Sequence, residues 1–224
     1  VCNIQMVQLA TDIMTRHLTG RPSPVQSLRE KTFAHYGVKE AVFPFNMFPE
    51  VDPILGPEMR STGEVLGLAS TVGEAFYKAQ EATKTCIPLN GTVLLSVNDR
   101  DKAELTELAR GFHECGFSIM ATGGCYAKIT EAGIPAEKVN KLQEGRPNIL
   151  DKITNGEIDL IINTPIGKQS AEDDSYIRKA AIKGRISYMT TMAAAQATVE
   201  GIKEVKKPES LGVKSLQEFH REIT

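Results

Sequence analysis

Within residues 92–191, four short runs of apolar, β-forming residues alternate with segments of helical periodicity. The runs cover residues 92–97, 116–121, 158–163 and 186–191. Polar or glycine residues follow each run, and a helical pattern then begins. Because parallel strands need crossover helices between them, this alternation predicts an α/β fold with a parallel sheet and flanking helices.

The residues before this block give a different pattern. A helix is predicted over residues 5–18, and its one apolar face needs a partner surface to pack against. A strand is predicted over residues 38–45. Four prolines within 44–57 exclude regular helix or strand from that stretch. Another helix is predicted from about residue 71 to residue 83, and residues 85–91 are predicted to be a linker.

Composition and charge exclude several classes of protein. The chain has 224 residues, 41% of them apolar, and a formal net charge of -2, so a core can form and general affinity for nucleic acid or anionic membrane is not expected. No apolar run approaches the ~20 residues that span a bilayer. The four cysteines and four histidines lack metal-ligand spacing, which favours free thiols in a reducing cytosol and no metal site.

The first residue is Val1, with no initiator methionine and no signal-peptide pattern. This start favours a piece excised from a longer protein.

Polar side chains stand where the predicted strands end. In a parallel sheet, ligands bind beyond these carboxyl ends, where helix N-termini present free amides. Any one Ser or Thr there is commonly a helix cap, but several together with lysines predict a cradle for a phosphate or carboxylate. The residues are Ser96, Thr122, Asn163, Thr164 and Thr190 at strand ends, with Lys102 and Lys141 as cations.

Three other features near these ends have alternative interpretations. Cys125 follows two glycines at a predicted helix start, where a thiol can become reactive. Because no histidine is near it in sequence to assist it, the alternative is a packed or pocket-lining thiol. The acidic run 172–174 suits the N-terminus of a helix. Asp99 or Asp101 is a candidate cap for the helix that begins at Lys102.

The sequence GPEMRSTGEV at residues 56–65, with residues 38–45 and 48–53, closely resembles the end of the second ATP-grasp unit in the large subunit of carbamoyl phosphate synthetase. Residues 139–141, 144–147, 155–157, 162–164 and 177–178 are similar to the C-terminal allosteric domain of that subunit, which has the methylglyoxal-synthase fold. The resemblance covers nearly the whole chain. It implies a partial α+β ATP-grasp tail at 1–84, a linker at 85–91 and a Rossmann-like, methylglyoxal-synthase-like effector-binding domain at 92–224.

The resemblance also implies a function for the whole subunit. That family makes carbamoyl phosphate from bicarbonate, glutamine-derived ammonia and two ATP, in the cytoplasm, for pyrimidine and arginine synthesis. ATP with Mg or Mn would serve the full-length subunit. The glycine-rich ATP loop and metal-binding acids are not in this sequence, so the chain alone is expected to be inactive, without cofactor. The implied partners are small-molecule effectors, the rest of the large subunit, the glutaminase small subunit and a second copy of the chain.

In the family, a nucleotide effector is held by residues that match five positions of this chain, all with the residue type kept. They are Ser96, Lys102, Thr122, Lys141 and Asn163. Three positions depart from the family pattern, with Cys125 and Pro165 in place of threonines and Asp174 in place of a serine. If Asp174 points inward, the lost hydroxyls and the added carboxylate should weaken phosphate binding. A second site, for ornithine, is implied at Glu40, Tyr188 and Thr190.

Two alternatives to an effector-binding region remain open at this point. The first is a free-standing lyase similar to methylglyoxal synthase, whose carboxylate base lies in a Gly-Gly-Asp segment. Arg146 stands in that register here, and an arginine cannot abstract a proton. The second alternative is an oligomerisation domain with an empty pocket.

Overall fold

A computed structural model describes residues 1–29, 31–42, 63–83, 86–164, 168–208 and 212–223. The strands are β1 (Tyr36–Val42), β2 (Gly63–Ala69), β3 (Gly91–Val97), β4 (Phe117–Thr122), β5 (Glu137–Val139), β6 (Leu160–Thr164) and β7 (Ser187–Met189). The helices are α1 (Met6–Thr19), α2 (Val72–Ala82), α3 (Lys102–Glu114), α4 (Gly123–Glu131), α5 (Ile149–Thr154), α6 (Lys168–Gly184), α7 (Met192–Val205) and α8 (Leu216–Arg221). The proline-rich stretch and Pro165 lie outside the described residues.

Strands β3 to β7 form one parallel sheet in the order β5-β4-β3-β6-β7. The predicted α/β fold with a parallel sheet is therefore confirmed. The chain moves outward from β3 to β5 and then returns to place β6 on the other side of β3. In such a sheet a crevice opens at the carboxyl ends where the strand order reverses, which is between β3 and β6.

The sheet is held between two apolar layers, because side chains alternate across each strand. On β3, Val93 and Leu95 enter one layer and Leu94 enters the other, and all three are fully buried. Ile162 and Ile161 divide in the same way on β6. Burial of each such side chain contributes about 1.5–3 kcal/mol, so the central strands and their carboxyl ends are firmly positioned.

The N-terminal part contains an antiparallel pair, β1 and β2, with Tyr36 opposite Ala69 and Val42 opposite Gly63. Strand β2 was not predicted from the sequence. Helix α2 packs on this pair and also on α7, and its Tyr77 belongs to the main apolar cluster of the sheet. The assignment of this part to an ATP-grasp unit, and the domain boundary at residues 85–91, stay predictions.

Helix α1 forms where the sequence predicts it, but no residue of α1 is buried. Its apolar side chains are open to solvent, with Met14 74% and Leu18 77% exposed. In the described parts of the chain, no helix has the length and apolar character needed to cross a bilayer.

Candidate functional site

A cavity of about 430 Å³ opens at the carboxyl ends of β3, β4 and β6, which is within the size range of small-molecule sites. The structure brings six of the seven residues predicted for the anion cradle to this one cavity, and Thr190 is not among its lining residues. Its lining includes Ser96, Lys102, Thr122, Lys141, Asn163 and Thr164.

Three of these side chains form a row across neighbouring strands. Ser96 is in register with Asn163 on β6, and Thr122 on β4 brings its Oγ1 to 3.5 Å from the Ser96 Oγ. Neighbouring strands lie about 4.8 Å apart, so the row from Thr122 to Asn163 is about 10 Å long. One edge of the sheet thus presents two hydroxyls and an amide side by side.

At the β4 end of this row, positive charge is concentrated on the first turn of α4. Thr122 occupies the N-cap position of this helix but makes no side-chain cap hydrogen bond. A Cβ atom on Gly124 would lie only 2.7 Å from the Nζ of Lys102, so the ammonium rests directly against the helix start. The helix N-terminus carries partial positive charge of its own, and the two together favour an anion there.

Lys102 is already paired in this structure, because its Nζ lies 2.6 Å from Oδ1 of Asp99. The hydrogen bond between them raises the pKa of Lys102 and lowers the pKa of Asp99. Asp101 occupies the N-cap position of α3 but makes no side-chain cap hydrogen bond. Of the two predicted candidates, Asp101 is therefore confirmed as the N-cap residue, although its side chain makes no cap bond, and the carboxylate of Asp99 pairs with Lys102 instead.

Asn98 shapes the loop between β3 and α3, and sequence reasoning missed it. Its Nδ2 donates to Oγ1 of Thr164 at 2.9 Å and to the Thr164 carbonyl at 3.0 Å, while its Oδ1 accepts from the backbone N–H of Arg100. The Thr164 hydroxyl is thus engaged in holding this loop. The available signal was an asparagine directly after a strand, because an asparagine side chain commonly hydrogen-bonds to the backbone two residues further on.

Asp174 corrects the interpretation of the acidic run. Helix α6 begins at Lys168, so Asp174 lies in its second turn rather than at its N-terminus. This residue is 5% exposed and lines the cavity, and its Oδ1 accepts a 2.7 Å hydrogen bond from Nδ2 of Asn163. Burial raises the pKa of Asp174, although the bond from Asn163 and the charge of Arg178 oppose that effect.

Tyr188, which was predicted for the second effector site, contacts the first. The Asn163 Nδ2 also donates to the Tyr188 hydroxyl oxygen at 2.7 Å, and burial raises the pKa of that phenol. Glu40 is half-buried on β1, where burial raises its pKa, and Thr190 is exposed just after β7. Within the described residues, no hydrogen bond or ion pair joins Glu40 to Tyr188 or Thr190.

Cys125 is a packed thiol in the cavity wall. It is 2% exposed, and its Sγ lies 3.4 Å from the backbone nitrogen of Val97. This position fits the pocket-lining interpretation made from the sequence. Across the described ranges, no group of three or more His, Cys, Asp or Glu side chains is arranged to hold a metal ion.

Comparison with known proteins gives consistent matches. Residues 104–190 match the family model of the MGS-like domain. The chain is 50% identical over 189 residues, or 83% of its length, to the carbamoyl phosphate synthase large chain, C-terminal section, of Aquifex aeolicus. It is 45% identical over 227 residues, or 98% of its length, to the carbamoyl phosphate synthase large chain of Ralstonia nicotianae. The chain spans 35% and 21% of these two relatives. The resemblance and the methylglyoxal-synthase-like fold class are thereby confirmed.

Proposed function

Because the chain is similar along most of its length to the C-terminal part of carbamoyl phosphate synthase large chains and contains a match to the MGS-like domain, we propose that it is the allosteric regulatory region of such a subunit. The cavity binds a small effector, a nucleoside monophosphate, and does not transform it. The observation that carries this proposal is the Lys102 ammonium against the uncapped first turn of α4.

The chemistry of the β4 end suits a phosphate group. Phosphate oxygens accept hydrogen bonds, and this end offers hydroxyl, ammonium and backbone N–H donors from Ser96, Thr122, Lys102 and the α4 start. Lys141 adds a second cation to the lining. A charge-assisted hydrogen bond contributes about 1.5–3 kcal/mol, so two or three of them supply roughly 3–9 kcal/mol toward phosphate binding before the cost of association, and contacts to the nucleoside must supply the rest.

The second effector proposed is ornithine, held by Glu40, Tyr188 and Thr190. A carboxylate at Glu40 can pair with an ammonium group, and the Thr190 hydroxyl can bind the polar head of the amino acid. Support comes from Tyr188, since its hydroxyl shares the Asn163 amide with the first cavity. A side chain that contacts both sites can couple them, so that binding at one site changes the affinity of the other.

For the whole subunit we propose ATP-dependent carbamoyl phosphate synthesis in the cytoplasm, serving pyrimidine and arginine production. ATP with Mg or Mn would bind in other parts of the subunit, which would work with a glutaminase small subunit and with further copies of itself. The isolated chain is expected to be catalytically inactive. ATP hydrolysis or carbamate phosphorylation by the purified chain would contradict that expectation.

The effector proposal is tested by titrating the chain with uridine monophosphate, inosine monophosphate and ornithine while its melting temperature is followed. A ligand that binds only the native state must raise that temperature. The substitution Lys102→Met should weaken nucleotide binding by about 10- to 100-fold, since it removes one charge-assisted bond. Lys128→Met, in the last turn of α4, is the matched control and should bind normally. No thermal shift with any of the three ligands would favour an oligomerisation domain.

The lyase alternative is tested with dihydroxyacetone phosphate. Arg146, in the register of the lyase base, has an 83% exposed side chain that lies 3.7 Å from an oxygen of Asp151. It is not among the residues of the cavity lining. Clear release of inorganic phosphate from dihydroxyacetone phosphate by the chain would overturn the regulatory proposal in favour of an enzyme.

A further inference from the structure

The two ends of the cavity differ in hydrogen-bonding chemistry. At the β4 end, Lys102, Ser96 and Thr122 offer hydrogen-bond donors. At the β6 end, Asn163 and the buried carboxyl of Asp174 stand together in the wall. A pocket with unlike ends selects both the composition and the orientation of its ligand.

The β6 end presents acceptors rather than donors. An asparagine amide has two hydrogens, and the Nδ2 of Asn163 is within 2.7 Å of both the Asp174 carboxylate and the Tyr188 hydroxyl. The carboxylate can only accept, which fixes the amide nitrogen of Asn163 on that side. Both hydrogens are therefore used inside the wall, and what remains for a ligand is the Asn163 carbonyl oxygen and the carboxylate.

The Asp174 carboxylate is incompletely stabilised by its own surroundings. Its neighbours are Asp173 and Arg178 on the same helix, Asn163 on β6 and Lys141 across the cavity, and its charge helps to raise the pKa of Tyr188 on β7. The pKa of Asp174 is nevertheless raised, so the effect of burial exceeds the combined opposing effect of the two cations and the amide. A donor on the ligand would supply the missing stabilisation, whereas a phosphate at this end would be repelled.

From this arrangement we propose that the cavity takes a two-ended ligand, with an anionic group at Lys102 and a hydrogen-bond donor, such as an amine or N–H group, on the Asp174 carboxylate. The proposal rests on the proposed function, because it concerns the same cavity, and it makes Asp174 the residue that selects the donor end. The row from Thr122 to Asn163 sets the distance between the two ends at about 10 Å. The lining also contains three aliphatic side chains that can contact an apolar segment between the two ends of the ligand: Leu142, Ile149 and Ile177.

A matched pair of ligands separates the two ends. Pentyl phosphate and aminopentyl phosphate differ only in a terminal amine, and calorimetric titration of the unmodified chain compares their dissociation constants. The chain is expected to bind aminopentyl phosphate about tenfold more tightly, which corresponds to one charge-assisted hydrogen bond. Equal affinity for the two esters would overturn the proposal, without need of any variant.

Two variants assign the preference to its residue. Asp174→Asn keeps the shape of the side chain and an oxygen for the Asn163 bond, and it should bind both esters equally. Asp173→Asn removes the same charge from the neighbouring residue, whose carboxylate accepts from Gln143, and it should keep the tenfold preference. If Asp174→Asn retains the preference, the carboxylate is not its source and the proposal fails.

Inorganic phosphate is the third probe, and it tests the proposed function separately. If phosphate and pentyl phosphate bind the unmodified chain but no preference for the amine is seen, only the inference about Asp174 fails. If neither phosphate nor either ester binds at millimolar concentration, the anion site itself is absent, and the proposed function fails with it.

Discussion

The Nζ atom of Lys102 lies 2.6 Å from Oδ1 of Asp99, and the Asp99 side chain is 91% exposed. The cation that rests on the start of α4 is thus held by a carboxylate that water can easily replace. Exposed ion pairs of this kind are weak because water and salt screen them, so an incoming anion can displace Asp99 at small cost. The pair neutralises the charge of Lys102 until an anionic ligand binds.

Removing the competitor should therefore strengthen anion binding. Asp99→Asn is expected to lower the dissociation constant for inorganic phosphate by up to about fivefold, the equivalent of one exposed ion pair. Calorimetric titration at low salt measures the effect. Glu107→Gln, an exposed acid on α3, controls for the change in net charge and should alter affinity much less. Weaker binding by Asp99→Asn would show that Asp99 helps the ligand rather than competing with it.

A single methyl group on α4 should disturb the same site. In Gly124→Ala, the new Cβ would lie 2.7 Å from the Lys102 Nζ, and the flexible end of the lysine must move away. We expect phosphate affinity to fall by about 3- to 10-fold, the loss of part of one charge-assisted bond. Gly123→Ala is the control, since its Cβ meets only Lys138 at 3.9 Å. Equal phosphate affinities for the two variants would show that Lys102 is not part of the anion site.

The stability of the chain should respond to pH through Asp174. Burial raises the pKa of this carboxyl in the folded state, so the folded state favours the protonated form. Stability from this group is therefore fully present below its unfolded pKa of about 4 and is lost as the pH rises through the folded pKa. Asp174→Asn should melt at a higher temperature than the unmodified chain at pH 7.

The same comparison at lower pH checks the sign. The difference in melting temperature between the two proteins should shrink as the pH is lowered toward about 4, because the unmodified carboxyl then becomes neutral as well. A difference that grows on acidification would mean that the ionised carboxylate stabilises the fold.

The close packing of α2 on β2 gives a prediction about the fold. A Cβ on Gly67 would lie 2.0 Å from the backbone oxygen of Ala75 and 2.7 Å from the backbone nitrogen of Ala79. Backbone atoms cannot move aside as side chains do, so Gly67→Ala should lower the free energy of unfolding by about 3 kcal/mol. Gly63→Ala, which meets nothing within 4 Å, is the control for urea denaturation. A neutral Gly67→Ala would contradict the described packing.

The sequence predicts the sheet and much of the cavity because both follow from local patterns. Apolar runs mark the buried strands, and the rule that ligands bind at carboxyl ends brings Ser96, Thr122 and Asn163 together without knowledge of strand order. Strand β2 was missed because two glycines weaken its β-propensity, and only its pairing with β1 makes it a strand.

The position of Asp174 depends on where α6 begins, and apolar periodicity alone does not define the exact end of a helix. With the helix start at Lys168, Asp174 is a buried residue of the cavity wall in the second turn, not an acid at the helix N-terminus. The role of Asn98 likewise depends on its contact with Thr164, 66 positions away in sequence. Such contacts belong to tertiary structure, and local propensity carries no information about them.

A crystal structure of the chain with inosine monophosphate would test the effector site most directly. We expect the phosphate to lie against the first turn of α4 within hydrogen-bond distance of Lys102, with the base directed toward Asn163 and Asp174. Density for the nucleotide elsewhere on the chain, or a cavity without nucleotide at saturating concentration, would contradict the proposed function.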